Sequence, residues 1–157
     1  MRCLEAARLA PSASNGQPCR FAVFDDPTRK QQLSQAVFQG IYAASARFAE
    51  APVLVALLVK PASVLGQMGN SLLRTHFQLI DAGIAGEHFV LQAQELGLGT
   101  CWIGWYDHPA LVKFLGARAR GLIPVCLIAL GHPPAGGKSP SHARRELAEI
   151  AGWNDLP

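Results

Sequence analysis

Two stretches of this sequence bring together residue types that chemistry can use. Ser12, Ser14, Asn15 and Gln17 place four hydrogen-bonding side chains between Pro11 and Pro18, more polar functionality than a turn requires. Trp102-Ile103-Gly104-Trp105-Tyr106 sets two indoles and a phenol about one glycine. Rings can wall an apolar slot, and a glycine lets backbone approach a ligand closely. Taken singly, the first stretch reads equally well as a helix-to-strand connection and the second as a core strand with an aromatic plug. Taken together they favour a flat aromatic cofactor.

Other chemistries fail on spacing. Gly97-Leu-Gly99-Thr-Cys-Trp102 has a dinucleotide-like beginning, but it ends in Trp and runs from helix to strand, opposite to the polarity that aims a helix N-terminus at pyrophosphate. Gly131-His-Pro-Pro-Ala-Gly-Gly-Lys138-Ser139 approaches a phosphate loop, yet it is a residue too long and its two prolines have no N–H to offer. His76 and His88 stand twelve residues apart on one predicted helix, too far to share a metal. His108, His132 and His142 fall in loops with no GxSxG nucleophile elbow. Cys101 lies in a predicted strand without an adjacent base and reads as inert.

The elements that must position the two stretches follow from periodicity and punctuation. Arg2 to Leu9 reads as the end of a helix stopped by Pro11, and Arg20 to Phe24 as a strand. Asp26-Pro27-Thr28 opens a helix to about Phe38. Pro52 to Val59 is apolar on both alternating faces, as a covered central strand requires. Pro61 to Asn70 is loop-like and suits the mobile edge of a site. From about Leu72 to Leu96, Phe77, Ile80, Ile84, Phe89, Leu91 and Leu96 surround the helix axis, which predicts a long helix enclosed on most sides. Thr100 to Ile103 is a short strand, Pro109 to Leu115 a brief helix and Pro124 to Leu130 a buried strand. Four strands and several helices in this order give an α+β or α/β sandwich.

Composition sets the outer bounds. The 157 residues suit a single domain spanning 1–157, and 50% hydrophobic content against 16% charged excludes extended disorder. A formal charge of +3 is too small and too dispersed for a nucleic-acid footprint. The longest apolar run, Val53 to Val59, is far shorter than the roughly 20 residues that a bilayer demands. High apolar content without a membrane segment points instead to an obligate oligomer. Cys3, Cys19, Cys101 and Cys126 form no CxxC pair and read as buried thiols of a reducing cytosol. With no export signal, the expected location is cytoplasmic.

Ala10-Pro-Ser-Ala-Ser-Asn-Gly-Gln-Pro18 followed by Arg20-Phe21 resembles the Pro-Ser-x-x-Asn-x-Gln-Pro-Trp segment of the nitroreductase family of flavoproteins, with Cys19 in place of its Trp. Asp81 to Leu91, Leu96 to Gly104 and Pro124 to Pro133 resemble the family's long central helix, the turn after it and its last core strand. The resemblance implies an α+β homodimer with a mixed β-sheet flanked by helices, a long buried central helix, and FMN at each subunit interface. Pro11, Ser12, Ser14, Asn15 and Gln17 would then approach the flavin from one chain, and the backbone of Trp102, Ile103, Gly104 and Trp105 from the other. His142, Arg144 and Arg145 would match the basic element that holds the phosphate, a role suited to a bidentate cation.

The same resemblance implies an FMN-dependent oxidoreductase passing hydride from NADH or NADPH to nitroaromatics, quinones or similar conjugated acceptors, with no side-chain acid, base or nucleophile assigned. An alternative is a non-catalytic flavin- or planar-ligand-binding dimer on the same scaffold; a third is the branch that consumes flavin to make the lower base of cobalamin, whose signature residues are not found. One departure concerns the Arg-Ser-x-Arg segment that the family carries ahead of the Pro-Ser loop. Only ten residues precede Pro11 here, so the chain is expected to be N-terminally short. Losing two charged contacts predicts flavin binding weaker by about 3–6 kcal/mol.

Overall fold

The computed structural model describes residues 1–62, 72, 75–134 and 143–157. Its first helix, α1 (Arg2–Leu9), turns Cys3 and Ala7 inward one turn apart and gives way to extended backbone at Ala10, as a following proline requires. Strand β1 (Cys19–Phe24) follows. Helix α2 (Pro27–Val37) starts on Asp26, whose carboxylate accepts from the Arg29 N–H at 2.7 Å, with proline in the first turn. A 3₁₀ stretch over Gly40–Glu50 leads to strand β2 (Val53–Val59); no feature of the sequence foretells it. Helix α3 (Phe77–Glu95), strand β3 (Gly99–Ile103), helix α4 (His108–Leu115) and strand β4 (Ile123–Gly131) complete the described framework. Asp107 caps α4 through the Ala110 N–H at 2.9 Å.

The strands form one sheet in the order β1-β2-β4-β3. Every pairing among the described residues is antiparallel, so the mixed character implied by the resemblance does not extend to these four strands. The central strand explains the layering. Leu54, Ala56 and Leu58 project into one apolar cluster with α2, α4 and Tyr106, while Val55, Leu57 and Val59 project into another with Cys3, Ala7, Ala82, Phe89 and Ala93. A strand that is apolar on both faces is thus covered by helices on both faces, giving three layers.

Within one chain helix α3 is covered on one side: it buries Asp81, Ala82, Ala85, Gly86, Phe89 and Ala93, while Leu79, Ile80 and Leu91 are 44%, 50% and 60% exposed. A single four-stranded sheet can cover only one side of a helix, so enclosure on most sides takes a second copy. One expectation is corrected here: the thiols are not all buried. Cys3 and Cys126 are, whereas Cys19 and Cys101 are half-buried because they lie on the two edge strands. Among the described residues no helix is long and apolar enough to cross a membrane.

Candidate functional site

The Pro11–Gln17 loop links α1 to β1 through a 3₁₀ turn at Ala13–Asn15. Ser14, Asn15 and Gln17 have φ of 50°, 53° and 44°, left-handed values on either side of a right-handed Gly16; asparagine tolerates them and the other two adopt them against steric preference. Local bonds hold it: the Ser12 hydroxyl oxygen accepts from the Gln17 N–H at 2.9 Å, and the Gln17 amide donates to the Asn15 side-chain oxygen at 3.3 Å. Arg20 extends the network by donating to the Gln17 carbonyl at 3.2 Å and the Cys19 carbonyl at 2.6 Å. From α3, the buried Asp81 carboxylate accepts from the Ala13 N–H at 2.9 Å.

The loop borders a concavity of about 320 Å³, lined by Pro11, Ser12, Gln17, Asp81 and apolar groups from α1, β1 and α3, at the lower end of the size range for ligand sites. Burial, and after it the negative charge of Asp81, pushes the Cys19 thiol up from its ordinary range. Arg8, on the rim, forks onto Glu5 at 2.8 and 2.6 Å, so this guanidinium is committed to its own helix.

The aromatic stretch sits at the end of β3. Trp102 lays its indole against α3 at Gly86, where an added Cβ would run into the ring; the glycine creates the seat. Ile103 is buried in the core, so only its backbone can face a ligand. At Gly104 an added Cβ would meet nothing within 4 Å, which leaves this backbone open to approach. Trp105 is 58% exposed, donates its indole N–H to the Ile41 carbonyl at 2.9 Å, and tilts against Tyr42 with centroids 5.3 Å apart. The unforeseen 3₁₀ stretch therefore serves the neighbouring strand end, presenting Ile41 and Tyr42 to Trp105.

Among the described residues of one chain, the concavity beside the loop is lined by none of Trp102, Ile103, Gly104 and Trp105. Phe21 of β1 stacks on Phe89 of α3 at 6.1 Å, and Asp81 and Ala85 face the loop on the same side, whereas Gly86 faces β3. The loop thus lies on the β1 side of α3 and Trp102 on the β3 side, at opposite edges of the sheet. Arg144 and Arg145 are exposed in the segment before the 3₁₀ turn Leu147–Glu149. His142 and most of the Pro61 to Asn70 edge lie outside the described residues.

Sequence reasoning passed over Asp81 and Tyr42. The signal for Asp81 was available: an acidic residue in a predicted helix, next to Ala82 and one turn before Ala85, both small residues that the structure buries. Tyr42 gave none, since only the tertiary path of the 3₁₀ stretch brings it to Trp105. One chain therefore offers two separate half-sites: hydrogen-bonding groups held in a strained loop on the β1 side, and an open glycine backbone with aromatic walls on the β3 side.

The chain is similar to several known proteins. The YdgI protein of Bacillus subtilis, which bears an NAD(P)H nitroreductase name, is 28% identical over 96% of this chain and 83% of its own length. A Thermus thermophilus protein named NADH dehydrogenase is also 28% identical, over 96% of this chain and 82% of its own. A protein of Exiguobacterium sibiricum solved in complex with FMN shares the fold at a TM-score of 0.76 and 21% identity, covering 97% of this chain and 84% of that one. The sequence model described as the Nitroreductase family matches residues 1–132, and the chain belongs to that family.

Proposed function

We propose that this chain is an FMN-dependent oxidoreductase that passes hydride from NADH or NADPH to nitroaromatics, quinones or similar conjugated acceptors, working as a homodimer in the cytoplasm. The observation that carries the reading is the open backbone at Gly104, flanked by Trp102 and Trp105 at the end of β3. When bound, FMN supplies the two-electron carrier, and the protein supplies position and polarity.

In this reading the Trp102 to Trp105 backbone would hold the flavin at its polar edge, where backbone N–H groups would favour negative charge. The Trp102 and Trp105 indoles shut out water along the ring. Pro11, Ser12, Ser14, Asn15 and Gln17 approach from the other protomer, which accounts for the two stretches lying on opposite edges of one chain. The apolar outer face of α3 supplies the contact between copies. Arg144 and Arg145, with His142, hold the phosphate. No side-chain nucleophile is needed in this reading, because the flavin would carry the chemistry.

The test is direct. Purified protein given FMN should turn yellow and retain a flavin absorption band after gel filtration, and the band should bleach when NADH or NADPH is added without oxygen. A preparation that takes up no FMN overturns the reading. Bound FMN that neither nicotinamide reduces would establish the non-catalytic alternative instead.

A further inference from the structure

Asp81 is the one buried charged side chain among the described residues, at 6% exposure on the inner side of α3, and the assignment of flavin contacts gives it no part. A carboxylate is rarely drawn inside a domain unless it is bonded there. Its carboxylate accepts from the Ala13 N–H, 68 positions earlier in the chain, at 2.9 Å. Ala13 opens the 3₁₀ turn of the Pro11–Gln17 loop, immediately before the left-handed residues Ser14 and Asn15. Asn15 N–H to the Ser12 carbonyl and Gln17 N–H to the Ser12 hydroxyl, both at 2.9 Å, close within the loop itself, and the Arg20 side chain ties the Gln17 carbonyl to β1 at 3.2 Å. These bonds set the loop's shape and its attachment to β1, and none of them sets its place on α3. The bond from Ala13 to Asp81 fixes that place, because α3 is packed on the sheet through Ala82, Phe89 and Ala93.

We propose that Asp81 is a positioning residue: its carboxylate pins the Pro11–Gln17 loop to α3 so that Ser12, Asn15 and Gln17 are presented in a single arrangement to the cofactor. The inference rests on the FMN reading above. Its chemistry is that of a hydrogen-bond acceptor, which makes a sharp distinction between variants. Asp81→Asn keeps an oxygen at the same position and should hold the loop. Asp81→Ala removes the acceptor. Ala13→Pro removes the donor from the other end, and proline suits the first position of a helical turn after an extended residue such as Ser12.

Two measurements on the full chain test it. In a fluorescence titration with FMN, Asp81→Asn should bind within about three-fold of the unaltered protein, while Asp81→Ala and Ala13→Pro should bind about ten-fold or more weakly, the effect of losing one charge-assisted hydrogen bond. In cofactor-free protein, amide hydrogen exchange should speed up in the loop of Asp81→Ala, at Ala13 and Asn15, and stay unchanged in the middle of α3. A residue that merely stabilised the fold would speed exchange along α3 as well and would lower the unfolding temperature of all three variants alike. Asp81→Ala binding FMN as tightly as the unaltered chain, or Asp81→Asn failing as badly as Asp81→Ala, overturns the proposal. Should Asp81→Ala not fold, Ala13→Pro decides the matter with the carboxylate still in place. Should the unaltered chain bind no FMN, the functional reading falls while the exchange experiment still decides whether Asp81 pins the loop.

Discussion

The hydroxyl of Tyr106 is buried without a hydrogen-bond partner among the described residues. Its ring is well placed, stacked on His108 at 4.3 Å and packed in the cluster with Leu33 and Leu111, so the apolar body gains what the polar tip loses. An unpaired buried hydroxyl costs about 1–3 kcal/mol by mutational data, and burial, followed by the nearby Cys126, holds the phenol well above its ordinary range. Tyr106→Phe keeps the ring and removes the cost. Its unfolding free energy at pH 7 should be unchanged or higher, by up to about 1–3 kcal/mol. The pH dependence should change as well. A group whose folded pKa is raised contributes stability that is complete below its unfolded pKa and lost as pH rises through the folded value. Tyr106 and Cys126, the latter pushed up to about 12 by burial, should both make the native protein weaken in alkali. Each steepens the decline by at most about 1.4 kcal/mol per pH unit. Urea midpoints measured between pH 8 and 11 should fall less for Tyr106→Phe than for the unaltered chain; parallel curves would contradict this account.

At the scale of elements, α3 organises both candidate segments from positions five residues apart, Asp81 toward the loop and Gly86 toward Trp102. Gly86→Ala sets two effects against each other. Alanine in a helix interior gains about 1 kcal/mol over glycine, while overpacking costs about 1–3 kcal/mol. The clash is with the far end of an indole already 39% exposed, which can swing outward. The expected result is a small fall in stability and a red shift in tryptophan emission, because Trp102 is the most shielded of the three tryptophans, the others being 58% and 94% exposed. An unshifted spectrum would mean that the glycine does not seat the indole.

The same elements tell how far the sequence could be read. The end of α1 was legible because Pro11 stops it, and β2, to within one residue, because both of its faces are apolar. Strand and helix ends elsewhere moved by one residue or, at the start of α3, by five, since no capping residue marks Phe77. The 3₁₀ stretch Gly40–Glu50 carries no period that distinguishes it from loop, and tertiary contact with Trp105 decides its path. The polar loop and the open glycine were visible as composition. Their geometry, three left-handed residues tied to a buried carboxylate, depends on a bond spanning 68 positions that no local pattern encodes.

At the scale of the whole molecule, the surface of α3 contradicts its composition unless something covers it. Leu79, Ile80 and Leu91 lie outward on the helix that the sheet packs against, and Ile41 and Trp105 add apolar surface beside the β3 end. Scattered exposed apolar residues are ordinary, but several on one element mark a contact surface. If two copies meet there, the interface and the cofactor site are one structure, and stability, association and flavin retention should fail together. Leu91→Glu places a charge on this face ten residues along the helix from Asp81 and five from Gly86. An exposed substitution of this kind should leave the isolated protomer's fold within about 0.5 kcal/mol. In the dimer the same carboxylate would be desolvated without a partner, at a cost of several kcal/mol. The expected outcome is a monomer by light scattering, with native far-ultraviolet circular dichroism and FMN lost on gel filtration. A monomer that still holds FMN would place the entire site within one chain, and an undisturbed dimer would move the interface off α3.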